Sequence, residues 1–167
     1  MNLNRIAKIL EGSNDLVINE VILEGTKKRS QLLHGARAYN KQAPAYLKKK
    51  TYDYDILTKQ PKKSAEETAK ILRRRLGKEV KVSRGSHKGT YRVKVNGEVV
   101  ADYTQIKTIP KTEKVWGTKV KSLKSIKRST QRIVKKPSAE YRRGKDLDTL
   151  GEIEKIESME KRFALII

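Results

Sequence analysis

The chain has no cysteine, which excludes disulfides and thiolate metal sites and fits an intracellular protein. With two histidines and no cysteine, a structural zinc site is excluded as well. Long apolar runs are also missing, and the longest falls far short of a membrane span. The start, Met1 to Leu10, carries Arg5 and Lys8 inside an amphipathic pattern and does not read as a signal peptide. Aromatic residues make up only 5%, so the core must be largely aliphatic. Acids are scarce: 19 Asp and Glu face 40 Lys and Arg, a formal net charge of +21. There is no phosphate-binding Walker loop, no G-x-S-x-G and no H-E-x-x-H.

What is there suits one domain of 167 residues with a real core. The charge attracts polyanions, so nucleic acid is the leading expected partner and an anionic membrane surface the second, with no membrane span expected. A cytoplasmic location is expected, or host cytoplasm or virion for a viral protein. Residues 107–136 hold eleven Lys or Arg against one acid, Glu113, whereas residues 137–167 hold six bases against seven acids.

Ile6, Ile9 and Leu10 predict a helix over 3–11 that ends at Gly12. The aliphatic segment 16–23 fits a strand or a helix turn, and its period does not decide. A helix is expected through 28–41 and a loop around Pro44. The next helix starts at Pro61 or in a capping box at Ser64, buries Ala65, Ala69, Leu72 and Leu76, and stops at Gly77. Strands are expected over 79–83 and 90–95. Asn96-Gly97 then signals a hairpin, with a return strand over 98–106. A further strand is expected over 115–120, and a basic helix over 122–134 with Leu123, Ile126 and Ile133 as apolar points. A final helix over 146–163 carries Leu147, Leu150, Ile153, Ile156, Met159 and Phe163. The order implies an α/β or α+β domain with a mixed sheet, flanking helices and a helical C-terminal tail. We divide it into a core at 1–110 and a basic segment with C-terminal helices at 111–167, packed on that core.

Thr51 to Thr58 alternates so that Asp53 and Asp55 share one strand face. Two carboxylates at i and i+2 offer hard oxygen ligands to Mg²⁺ or Mn²⁺, the chemistry that nucleotidyl transfer requires. Asp102, in the apolar strand Val99-Val100-Ala101-Asp102-Tyr103, is the candidate third ligand, because a buried unpaired carboxylate is costly. The bland alternatives are water-facing aspartates and an Asp102 paired to a lysine.

Leu33-His34-Gly35-Ala36-Arg37, then Tyr52-Asp53-Tyr54-Asp55-Ile56, then Val100-Ala101-Asp102 resembles the DNA polymerase beta-type nucleotidyltransferase superfamily. It is similar in particular to small nucleotidyltransferase-like proteins of archaeal and large-virus genomes. The resemblance covers roughly 30–105, the size of the minimal palm core. It implies Mg²⁺-dependent transfer of a nucleoside monophosphate from an NTP to an acceptor, with Asp53, Asp55 and Asp102 as catalytic metal ligands. It implies that Gly35 and Ala36 bring the helix backbone to the phosphates; the family has Gly or Ser where this chain has Ala36, which keeps the N–H and lacks the hydroxyl. Arg37 is in reach of a triphosphate, and Arg142 and Lys145 match the basic residues that the family uses from a later helix.

Lys119, Lys121, Lys124, Lys127, Arg128, Arg132, Lys135 and Lys136 have almost no acids in their own segment to neutralise them. They are expected to form a phosphate-tracking nucleic-acid surface. Trp116 and Tyr103 could stack bases, although isolated aromatics are more often core. The alternative function is a non-catalytic DNA- or RNA-binding protein on the same scaffold. A virion or assembly protein is a third.

Overall fold

The computed structural model describes residues 3–164; the side chains of 3–13 and of Phe163 lie outside that description. The chain forms α1 (Leu3–Lys28), β1 (Leu32–His34), α2 (Gly35–Asn40), β2 (Tyr54–Thr58), α3 (Pro61–Leu76) and β3 (Val80–Arg84). It continues through β4 (Thr90–Val95), β5 (Glu98–Gln105), β6 (Thr112–Val115), β7 (Thr118–Lys121), α4 (Leu123–Val134) and α5 (Arg143–Ala164). Short 3₁₀ turns occupy Ala45–Leu47 and Pro137–Arg142. No helix among the described residues is long and apolar enough to cross a membrane.

All seven strands join one mixed sheet in the order β3-β4-β5-β2-β1-β7-β6. β2 and β5 are parallel, as are β1 and β7, and the other pairs are antiparallel. The sheet therefore draws strands from both sides of residue 110. The expected α/β class with a mixed sheet is what the chain adopts. One face carries Leu33, Ile56, Tyr103 and Val120, all fully buried, under α1 and α3. Strand alternation sends the neighbouring side chains to the opposite face.

The expected α3 is present. Pro61 is its first residue and Gly77, at φ 61°, its left-handed cap. The Ser64 hydroxyl donates back to the Gln60 carbonyl instead of capping the helix.

Four expectations need correction. The helix expected over 3–11 does not stop at Gly12 but runs on as α1 to Lys28. A glycine inside a helix costs only about 1 kcal/mol, and burial of Val21 and Ile22, with Val17 and Ile18 packed beside them, outweighs that. The helix expected over 28–41 is instead a turn through Ser30 (φ 50°), a strand and six helical residues. The tertiary cause is that Leu32 and Leu33 are taken up between β2 and β7. The single strand over 115–120 is a hairpin, turning at Trp116 and Gly117, both at positive φ. Finally, α5 buries Ile153 and Ile156, but Leu147 stays exposed.

Candidate active site

The face away from α1 and α3 carries a row of polar side chains. His34 on β1 is in register with Asp55 on β2, Asp55 with Asp102 on β5, and Asp102 with Arg92 on β4. Lys121 follows the Leu33–Val120 pair and extends the row onto β7. Asp53 precedes β2 by one residue.

Several elements hold these groups in place. Gly35 opens α2 at φ 64°, and a Cβ built there would overlap the carboxylate oxygen Oδ2 of Asp55. Glycine is thus required twice, by conformation and by space. Arg37 stacks over the Tyr54 ring at 4.2 Å and donates to the backbone carbonyls of Asp53 (3.2 Å) and Tyr52 (3.3 Å). The guanidinium fastens the strand that carries both aspartates. Arg92 donates through Nε and Nη2 to the two oxygens of Asp102, at 2.8 and 2.7 Å. The loop before β2 is docked on α5, where Lys49 pairs with Glu152 at 2.9 Å.

The charges converge on Asp55. Burial, then the charges of Asp53 and Asp102, push its carboxyl up to about 6, while Lys145 and Arg92 pull the other way. His34 is held down to about 4, first by burial and then by Lys121, with Asp102 opposing. Its Nε2 is buried without a hydrogen-bond partner.

The fold brings Asp53, Asp55, Asp102 and Gly35 to one place, and the charge of Lys145 reaches Asp55 from the first turn of α5. Ala36 follows Gly35 on α2 and is partly buried. Arg142 is committed elsewhere: it grips the buried Asp146 through two hydrogen bonds of 2.8 and 2.9 Å. Among the described residues, no three His, Cys, Asp or Glu side chains form a ready-made metal cage. Arg92 occupies the Asp102 carboxylate. The donor set still fits a hard divalent cation, since the like charges that raise Asp55 are those that a cation would neutralise.

The basic stretch divides. Lys119, Lys124, Arg128, Arg132, Lys135 and Lys136 are exposed. Lys127 is not free: α5 lies against α4 and presents Glu157 at 2.7 Å and Glu154 at 3.7 Å. Lys121 is partly buried and donates to the Ser129 hydroxyl at 2.7 Å. Tyr103 is fully buried and shares a 2.7 Å hydrogen bond with Thr68, so it is a core residue and stacks no base.

Sequence reasoning missed Arg92 and His34 as members of the row. His34 stands next to Gly35 in the Leu33-to-Arg37 motif. Arg92 was hidden, because the two-residue turn at Asn96-Gly97, followed in strict register, puts Tyr91 opposite Asp102. A one-residue register shift at Val93 and Lys94 puts Arg92 there instead.

The sequence pattern of the poly(A) polymerase catalytic subunit family matches residues 20–134, more than half of the chain. The chain belongs to the poly(A) polymerase catalytic subunit family. That match begins inside α1 and ends at the last residue of α4, so all seven strands of this family member lie within it. A crystal structure of the Megavirus polyadenylate synthase has a similar fold, with a TM-score of 0.73 at 22% identity. The likeness covers 84% of this chain and 31% of that one, so this family member spans less than a third of the Megavirus chain. No curated protein matches it significantly in sequence. The nucleotidyltransferase-type superfamily suggested by Gly35, Asp53, Asp55 and Asp102 is the one to which this poly(A) polymerase family member belongs.

Proposed function

We propose that the chain transfers a nucleoside monophosphate from an NTP to a hydroxyl of a nucleic acid, with Mg²⁺ or Mn²⁺ held by Asp53, Asp55 and Asp102. The observation that carries this reading is the register pairing of Asp55 with Asp102 on the sheet face away from α1 and α3, with the charge of Asp53 acting on the same carboxyl. The acceptor oxygen forms a bond to the α-phosphorus, the bond from that phosphorus to the bridging oxygen breaks, and pyrophosphate leaves with the electron pair. The acceptor's proton passes to solvent by way of the carboxylate row. A bound divalent ion would supply charge neutralisation for the phosphates and the attacking oxygen. Gly35 leaves the Asp55 carboxylate its place, and Arg37 holds the Asp53 backbone. Lys145 brings a cation for the phosphates.

The test is incorporation of radiolabelled NTP into single-stranded RNA or DNA with Mg²⁺ or Mn²⁺. Asp55→Asn and Asp102→Asn are expected to abolish labelling, as is chelation of the metal. Labelling by an Asp53→Ala, Asp55→Ala protein at the wild-type rate would sink the reading.

A second reading, nucleic-acid binding without catalysis, is favoured by one observation: the closed bidentate grip of Arg92 on Asp102. The two differ in Mg²⁺-dependent NTP binding, which a pure binder lacks.

A further inference from the structure

The chain contains two hairpins with two-residue turns of the same shape. In one, Asn96 and Gly97 take φ 49° and 87°; in the other, Trp116 and Gly117 take 47° and 76°. The first is the expected chemistry, because asparagine tolerates positive φ and glycine adopts it freely. The second puts a bulky aromatic where L side chains are strained. Burial does not compensate, since Trp116 is 79% exposed. A large apolar side chain kept in a costly conformation and in contact with water has its reason outside the fold.

The surroundings indicate what that reason is. Lys41, just past α2, holds its ammonium 5.3 Å from the Trp116 ring. Lys27, in the last turn of α1, lies against Gly117. The Lys41 ammonium is lowered by burial and then by the charges of Lys27 and Lys48. Among the described residues none of the three pairs with an acid. A π-face with a lysine ammonium over it and a second lysine beside it matches a base and its phosphates. A duplex hides its base faces in the stack, whereas a single strand offers them.

We propose that Trp116, with Lys27 and Lys41, is a stacking platform for single-stranded nucleic acid. It sits in the turn that opens β7, the strand whose last residue, Lys121, extends the row of Asp55 and Asp102. A strand held there can extend toward Asp55. The proposal deepens the nucleic-acid-acceptor part of the proposed function and rests on it for its role, but not for its binding.

Trp116 is the only tryptophan in the chain, so its emission is a direct probe. Titration of the whole protein with single-stranded oligonucleotides is expected to quench it, and an equal amount of duplex is expected to quench much less. Trp116→Asn, which installs the residue of the first hairpin, is expected to raise the melting temperature and to weaken single-strand binding, followed by a labelled oligonucleotide, by roughly tenfold. Trp116→Phe is expected to retain most of the affinity. Lys27→Gln with Lys41→Gln is expected to weaken binding and flatten its salt dependence. Asp55→Asn should quench like the wild type, so loss of transfer and loss of the platform are separately visible. The proposal is overturned if oligonucleotides leave the emission unchanged, or if Trp116→Asn binds like the wild type. It is overturned equally if anionic phosphatidylserine vesicles alter the emission and oligonucleotides do not.

Discussion

Arg92 faces Asp102 across β4 and β5 because the register between those strands shifts by one residue at Val93 and Lys94. The pair that results is bidentate, with Arg92 29% and Asp102 14% exposed at the side chain. Removing the cation from such a pair leaves a mostly buried carboxylate next to Asp55. Arg92→Met is therefore expected to cost about 1–3 kcal/mol without divalent ion. The released carboxylate should then bind metal more readily. Thermal melts with and without Mn²⁺ check both points, with the ion expected to raise the melting temperature of the variant more than that of the wild type.

Gly35 and Gly77 make a matched pair of controls. Both take positive φ, 64° and 61°, but a Cβ at Gly77 meets nothing within 4 Å and one at Gly35 meets the Asp55 carboxylate. Alanine at either position costs about 1 kcal/mol of backbone strain. Gly35→Ala is also expected to displace Asp55 and reduce NTP incorporation by about a hundredfold. Gly77→Ala is expected to leave incorporation unchanged. Equal activity in the two variants would separate Gly35 from the chemistry.

Asp55 and His34 pull stability in opposite directions with pH. The Asp55 carboxyl titrates at about 6 in the folded chain against an ordinary 3.8, so the folded state binds the extra proton between those values and gains stability as pH falls through them. His34 titrates at about 4 against an ordinary 6.5, so the unfolded state binds the extra proton and stability is lost as pH falls from 6.5 to 4. The two contributions offset each other in the wild type. Asp55→Asn in metal-free buffer is expected to be more stable than wild type at pH 8, by about 1–3 kcal/mol, and to lose that advantage by pH 4. His34→Gln is expected to leave the Asp55 contribution unopposed and to gain stability as pH falls to 4. Urea unfolding across pH 4–8 measures both.

Lys127 and Lys124 sit on one helix with different employment. Lys127 is 22% exposed and pairs with two α5 glutamates, whereas Lys124 is exposed. Lys127→Gln is expected to lower the melting temperature, at a cost of about 0.5–1 kcal/mol, and to leave the salt dependence of nucleic-acid binding alone. Lys124→Gln with Arg128→Gln is expected to do the reverse, reducing the slope of log affinity against log salt by about 0.7–0.9 for each phosphate no longer neutralised.

The Gly77 end of α3, the Asn96-Gly97 hairpin and the strand at Asp55 were legible in the sequence. Each rests on local rules: a glycine after a helix, a turn-forming dipeptide, and alternation along a strand. The sharing of a face by Asp55 and Asp102 rests on the pairing of β2 with β5, which is not local. The Gly35, Asp53, Asp55 and Asp102 pattern likewise carried enough to suggest the superfamily. Misread were the segments whose fate depends on distant partners. Leu32 and Leu33 are apolar enough for either helix or strand, and β2 and β7 on either side decide for strand. Gly12 looks like a stop, and burial of Val21 and Ile22 further on carries the helix past it.

By itself the sequence determined which residues can do chemistry, because residue type and period are local properties. It set Asp55 and Asp102 on strands, the positive charge, and the lone tryptophan before a glycine, whereas Asp53, expected on the same strand as Asp55, lies one residue before β2. The tertiary structure alone decided what each group meets. Arg92 reaches Asp102 through one shifted residue, Asp55 fills the space beside Gly35, and a glutamate thirty residues away takes Lys127 out of the basic surface. The physical reason is that register and helix docking are settled by burial and pairing between segments far apart in the chain, and no window of neighbouring residues contains both partners.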